Sequence, residues 1–306
     1  MKIGLALSGG GARGFSHIGV LQALEELKIK PDIIAGSSIG AIIGGTYSLY
    51  PDAREVERII FDAYEKYKKD ILTFKIFSAS SSIEERKLFL EKSFAFVKEV
   101  LLWNLRIIKP SLIDAKPFIK LLKDIFKHYK FKDCKIPFRA TAVDLVSGDK
   151  VFLKKDSLCK AVLASFALPG FFPPLRAANQ LLVDGGVVLP IPVEAIRREA
   201  DFIIGVSADD VDEPFSDNGN AIDIMFRTDK LRYREIVEHN KNMADFSITP
   251  NLNNVHWPDF DKVRGLVKPG KEATLAKADS LIKALRTGRI KTFFSPRGFL
   301  PKKPLQ

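Results

Sequence analysis

The chain has 306 residues, 46% hydrophobic and 28% charged, and a formal net charge of +11. That is ordinary for a soluble globular protein and long enough for one large α/β domain or two small ones, with ample material for a buried core. Two cysteines, Cys134 and Cys159, exclude a disulfide framework, and the stretch 94–108 carries Lys98, Glu99 and Arg106, which excludes a transmembrane helix there.

Taken in order, Lys2 to Leu7 reads as a first strand; its apolar run is too short for a signal-peptide core. It enters Gly9-Gly10-Gly11-Ala12-Arg13-Gly14, after which Val20, Leu21, Leu24 and Leu27 recur at helical spacing. Lys28 to Pro31 ends that helix, Asp32 to Ala35 is a second strand, and a second helix runs from the following turn to about Tyr50. A βαβα opening predicts a parallel sheet with helices on both faces. Residues 52–135 read as a mainly helical insertion rich in aromatics, among them Phe61, Tyr64, Phe94 and Trp103, with a flexible serine run at 78–82. Beyond it come a strand over 138–144 paired as a hairpin with 150–153, a helix over 157–166 and a strand over 181–183. A helix over 193–199, a strand over 202–206 and a loop over 209–220 follow. A helix over 222–239, a short strand at 246–248, a helix over 272–285 and an extended tail complete the chain.

Charge is uneven. Residues 54–160 hold 24 basic against 15 acidic side chains, whereas residues 1–53 balance. A basic central third attracts polyanions such as an anionic membrane surface, and solvated helix faces explain the same excess. The mixture of aromatic, aliphatic and basic residues in 94–106 suits either an interfacial segment or packed helices.

The chemistry centres on Gly36-Ser37-Ser38-Ile39-Gly40, placed between the apolar runs 33–35 and 41–43. A strand that ends in Gly-x-Ser-x-Gly and turns at once into a helix is a nucleophile elbow. Its serine, Ser38, stands at the tip of the turn, and the helix behind it aims a positive dipole end at any oxyanion formed there. The run Gly9 to Gly14 satisfies G-x-G-x-x-G, the dinucleotide fingerprint, but the second strand ends in Ala35-Gly36-Ser37 with no acid to hold a ribose, and a P-loop lysine is missing. The competing reading is a cradle of backbone N–H groups for an oxyanion, opening at the same sheet edge as Ser38. Of the four histidines, His17, His128, His239 and His256, none has the surroundings of a triad base. Asp184 does stand at a strand end, after Leu181-Leu182-Val183 and before Gly185-Gly186. A simple turn aspartate would have the same local sequence.

Three ordered stretches, Ser8 to Gly14 with His17 to Leu21, Gly36 to Gly40, and Asp184-Gly185-Gly186, together resemble the patatin-like phospholipase family. The stretch Ala164-Ser165 through Pro173-Pro174 shares the likeness, which covers roughly residues 3–206; Leu189-Pro190-Ile191-Pro192 departs from it, an Asn being usual before the last Pro. The resemblance implies a three-layer α/β/α fold with a central mostly parallel sheet and the helical insertion, in a single domain over 1–290 with an extended tail over 291–306. It implies a Ser–Asp dyad with Ser38 as nucleophile and Asp184 as base. Gly9, Gly10, Gly11, Ala12, Arg13 and Gly14 would be the oxyanion hole, Gly36 and Gly40 would shape the elbow, and Gly185 and Gly186 would form the turn after the base. No metal or cofactor is required. The expected substrate is a phospholipid or other acyl ester, with no nucleic acid or nucleotide as partner. The expected location is cytoplasmic, with peripheral contact at an anionic membrane face. A carboxylesterase or thioesterase acting on soluble esters, and a membrane- or partner-binding scaffold with a dormant site, stay open beside it.

Overall fold

The computed structural model describes residues 1–72, 115–208, 221–252 and 255–294. One eight-stranded sheet runs through it. At its centre β1 (Ile3–Leu7) pairs in parallel with β2 (Ile33–Gly36) on one side and β7 (Phe202–Val206) on the other, and all three strands are buried throughout. Such strands are apolar at every position because both faces are covered. The alternation shows in the two cores. Leu5, Leu7 and Ile34 point into the larger one, while Ala6, Ile33 and Ala35 point into the smaller one on the opposite face.

The larger core is packed by α1 (Ser16–Glu26), α2 (Ile39–Leu49), α3 (Ala53–Leu72) and α4 (Lys116–Phe126). On α3, Val56, Ile60 and Tyr64 recur four residues apart and, with Phe61 beside Ile60, form its buried stripe. Asp52 starts that helix by accepting the Arg54 and Glu55 N–H groups at 2.9 and 3.0 Å. The smaller core is covered by α6 (Ala221–Met243), whose Val237 is buried in it and whose Tyr233 and Met243 pack against it. Helices on both faces of a mixed, mostly parallel sheet give the α/β/α layering expected from the opening pattern.

The remaining strands build the working end of the sheet. β3 (Phe138–Asp144) pairs in parallel with β2 and antiparallel with β4 (Lys150–Leu153) and β6 (Gln180–Asp184). α5 (Leu158–Ser165) lies between β4 and β6 in the chain, capped by Ser157, whose Oγ accepts the Lys160 N–H. β8 (Phe246–Ile248) extends the parallel side beyond β7.

Four expectations need correction. The helix expected over 193–199 is only a 3-10 turn, Val193–Ala195. Pro192 precedes it, and the short run to β7 is taken up by tight i→i+3 bonds, Ala195 to Pro192 and Ile196 to Val193. The helix expected over 272–285 is two, α7 (Val267–Leu275) and α8 (Ala278–Phe294), parted where Lys277 N–H tightens onto Thr274 O. Helix α8 therefore continues four residues into the tail expected to be extended from 291; residues 295–306 lie outside the described ones. A three-residue edge strand, β5 (Leu175–Ala177), follows the proline pair at 173–174 and pairs with β6, although its composition carries no strand signal. Of the insertion over 52–135, α3 and α4 are helical; its middle, 73–114, with the serine run and Trp103, lies outside the described residues, as does the loop expected over 209–220.

Candidate active site

β2 ends at Gly36 and α2 begins at Ile39, so Ser38 sits in the single-step turn between them with φ 53° and ψ −123°. A non-glycine residue held there stores about 1 to 3 kcal/mol of backbone strain, as nucleophile elbows do. The flanking glycines are dictated by space rather than by dihedral angle. A Cβ on Gly36 would lie 2.3 Å from the Gly40 carbonyl oxygen, and one on Gly40 would lie 2.3 Å from that of Leu7. The elbow is pinned on two sides. Ser37 Oγ donates to the Leu189 carbonyl at 2.6 Å, and since a hydroxyl has one proton, its 2.6 Å contact with Thr141 Oγ1 is one that Thr141 donates. The Ser38 N–H donates to Ser165 Oγ at 3.0 Å.

Sheet register brings Asp184 to the same place. Ala140 lies between Gly36 and Leu153, and Ala142 lies between Asp184 and Val151. A residue with two ladder partners has one on each edge, so β2 and β6 share one edge of β3. They run in opposite directions there, and their C-terminal ends face each other across Thr141. The fit at that joint is close: a Cβ on Gly185 would stand 2.4 Å from Thr141 Oγ1. Asp184 is 2% exposed; its N–H donates to the Ala167 carbonyl at 2.9 Å and its Oδ1 accepts the Gly186 N–H at 2.7 Å. The end of α5 thus holds both candidates, Ser165 taking the Ser38 amide and Ala167 the Asp184 amide.

The glycine loop lies against Ser38. A Cβ on Gly9 would be 3.4 Å from Ser38 Cβ, and one on Gly14 would be 2.1 Å from Ile39 Cγ2. Gly10 and Gly11 have φ of 128° and 57°, successive positive values that a side chain would strain. Five of the six amides of the expected oxyanion hole, those of Gly9 to Arg13, separate into two groups. Gly9 N–H donates to Pro190 O, Ala12 N–H to Trp257 O and Arg13 N–H to Gly10 O, at 3.1, 2.7 and 3.1 Å. Ala12 is therefore corrected from a donor to a bonded member of the turn, and the same holds for Gly9 and Arg13. The amides of Gly10 and Gly11 have no hydrogen-bond acceptor among the described residues. Arg13 is buried, which favours holding the loop over meeting a head group. The Leu189–Pro192 stretch, where the family pattern has an Asn, seats both halves: Leu189 O takes Ser37 and Pro190 O takes Gly9.

His17 is fully buried and its Nε2–H donates to the Ser8 carbonyl at 2.9 Å. Burial pushes its pKa down to about 4, only partly opposed by that bond, so it is a neutral structural group. The unfolded chain takes up this proton near pH 6.5 and the folded protein only near 4. Its contribution to stability is therefore complete above pH 6.5 and lost as pH falls through 4, a change on the order of 3 kcal/mol. Urea denaturation of wild type and His17→Gln at pH 7 and pH 4 should show a smaller loss in the variant; equal losses would contradict the buried neutral ring.

A small apolar cavity of about 30 Å³ lies beside the elbow. Ile39 and Ile42 of α2 line it with Phe15, Ile60, Phe118 and Phe166, and Tyr64, at its edge, has its hydroxyl bonded to Phe260 O at 2.7 Å. Ile39 follows Ser38 and Phe166 follows Ser165, so the pocket begins one residue from the candidate nucleophile. Among the described residues no cluster of three His, Cys, Asp or Glu side chains is arranged to hold a metal, and no helix is long and apolar enough to cross a membrane. Sequence reasoning missed Ser37, Thr141, Ser165 and Trp257 as parts of the site. Ser37 lay inside the elbow motif and Ser165 in the stretch before Pro173-Pro174, whereas Thr141 and Trp257 lay in no recognisable pattern.

Comparison with known proteins bears on the family. The family model described as "Patatin-like phospholipase" matches residues 5–197. An uncharacterized NTE family protein of Mycobacterium tuberculosis is 31% identical over 212 residues, which cover 67% of this chain and 49% of that protein. Lysophospholipase NTE1 of Cryptococcus neoformans is 32% identical over 197 residues, 64% of this chain and 10% of that protein. The chain spans about half the length of the first of these relatives and far less of the second. VipD of Legionella pneumophila, a solved structure, aligns with a TM-score of 0.47 at 17% identity, covering 91% of this chain and 67% of that one, a likeness too distant to bear on function.

Proposed function

Because the chain belongs to the patatin-like phospholipase family, we propose that it is a serine lipid acyl hydrolase that cleaves carboxylic esters of phospholipids or lysophospholipids. The observation that carries the reading is the meeting of two strand ends over Thr141, with Ser38 at one and Asp184 at the other. Ser38 Oγ attacks the ester carbonyl carbon while its proton passes to the Asp184 carboxylate, which acts as general base. The carbonyl oxygen becomes an oxyanion and accepts the Gly10 and Gly11 amides, two donors with no other acceptor among the described residues. As the tetrahedral intermediate collapses, Asp184 returns the proton to the leaving alcohol and an acyl-Ser38 remains. Water then attacks that ester, giving its proton to Asp184, which passes it to Ser38 Oγ as the fatty acid departs.

The side chains at Ile39 and Ile42 are apolar and suit contact with an acyl chain, but the cavity they line holds only about 30 Å³, so a chain enters it only where these side chains part. The test is fatty-acid release from phosphatidylcholine and lysophosphatidylcholine vesicles by the purified protein, measured by mass spectrometry. Release by wild type and none by Ser38→Ala is expected. Turnover of soluble p-nitrophenyl acetate with no release from either lipid would instead make it an esterase of soluble substrates.

A further inference from the structure

The stretch 255–275 lies beyond the residues matched by the family model, 5–197, yet it holds the glycine loop at three levels. At the top, the Trp257 carbonyl accepts the Ala12 N–H at 2.7 Å, and Gly11 approaches so closely that a Cβ there would stand 2.3 Å from that same oxygen. In the middle, Tyr64 Oη donates to the Phe260 carbonyl at 2.7 Å, tying the 3-10 turn Phe260–Leu266 to α3. At the base, α7 crosses α1 with backbone in contact: a Cβ on Gly19 would lie 1.8 Å from Val267 O, and one on Gly270 would lie 1.9 Å from Ser16 O. The Trp257 ring also stands edge-on to Phe171, with centroids 5.1 Å apart and planes at 77°. Phe171 belongs to the loop that leaves Ala167, the residue that takes the Asp184 amide. Trp257 therefore spans the two sides of the site, its backbone on the glycine loop and its ring on the loop beside Asp184.

We infer that Trp257 is a positioning residue for the oxyanion donors. A run of three glycines has the largest backbone freedom to lose, and donors that stabilise a transition state must be held within a fraction of an ångström. By engaging Ala12, the Trp257 carbonyl fixes the turn in which Gly10 and Gly11 keep their amides for the reacting oxygen. The ring against Phe171 keeps that carbonyl in place. This inference rests on the hydrolase reading above, and it assigns a role to a segment outside the matched family core.

The test compares Trp257→Ala, Trp257→Phe and Tyr64→Phe with wild type on p-nitrophenyl acetate. Trp257→Ala should lower kcat about 10- to 100-fold with KM changed less than threefold, a smaller loss than the roughly 100- to 1,000-fold that removing a donor outright produces. Trp257→Phe, which keeps an edge-on ring for Phe171, should stay within about threefold, and Tyr64→Phe should lower kcat in the same direction as Trp257→Ala. Tryptophan emission gives a readout that mere stability would not move: a fluorophosphonate adduct on Ser38 should shift the wild-type spectrum, and Trp257→Phe should lack the shift. A Trp257→Ala enzyme with near wild-type kcat overturns the inference, as does a Phe variant as impaired as the Ala one. An unshifted wild-type spectrum overturns it too, and decides the matter should the Ala variant not fold. An enzyme that needs Ser38 but is indifferent to Trp257 sinks this inference alone; activity that survives Ser38→Ala sinks the hydrolase mechanism itself.

Discussion

Ser38→Ala is expected to lower kcat/KM for p-nitrophenyl acyl esters by about four orders of magnitude or more, leaving only what substrate binding and the oxyanion donors contribute. The fold should be unaffected. The anchor of Ser38 to Ser165 is made by the backbone N–H, which alanine keeps, and alanine bears the same positive φ at similar cost. Equal melting temperatures with activity lost would separate chemistry from folding. Wild-type turnover in the variant would remove Ser38 from the mechanism.

Asp184→Asn should lower kcat by about two to four orders of magnitude, the range for removing a positioned general base. Asparagine is nearly isosteric. Its side-chain oxygen can still accept the Gly186 N–H, and its backbone keeps both the bond to Ala167 and the pairing with Ala142. What it loses is the capacity to take a proton. Asp144 supplies the control from the other end of the same strand pair. Its carboxyl accepts the Leu181 and Val146 N–H groups and the Ser147 hydroxyl, and the Leu181 bond is the main cause of a pKa held below the usual carboxylate range. That is a hairpin aspartate, and Asp144→Asn should leave kcat within a few-fold of wild type. Similar losses in both variants would mean that Asp184, too, serves only its turn.

The contrast between those aspartates marks where the sequence could be read and where it could not. Both precede turn-forming residues, and local pattern cannot separate them. What separates them is β3, whose register puts Asp184 opposite Ala142 and so beside the end of β2. The central strands were legible because burial on both faces makes them apolar at every position, and the elbow was legible because two close backbone approaches admit only glycine. The glycine loop was legible as a tight strand-to-helix turn beside the elbow. Which of its amides remain for a ligand was not, because that depends on partners far away in the chain, Pro190 and Trp257. Thr141 carries no pattern of its own, and the importance of Thr141 and of Ser165 comes from what the sheet and α5 bring against them. The shortened turn at 193–195 and the edge strand at 175–177 were misread for the opposite reason, since tertiary constraints there outweigh local preference.

The most direct test of the account is to treat the protein with a fluorophosphonate, digest it and locate the adduct by mass spectrometry. A single phosphonylated peptide with the modification on Ser38, formed slowly or not at all in Asp184→Asn, is the predicted result. An adduct on another serine, or none in a wild-type protein that still hydrolyses acyl esters, would contradict it.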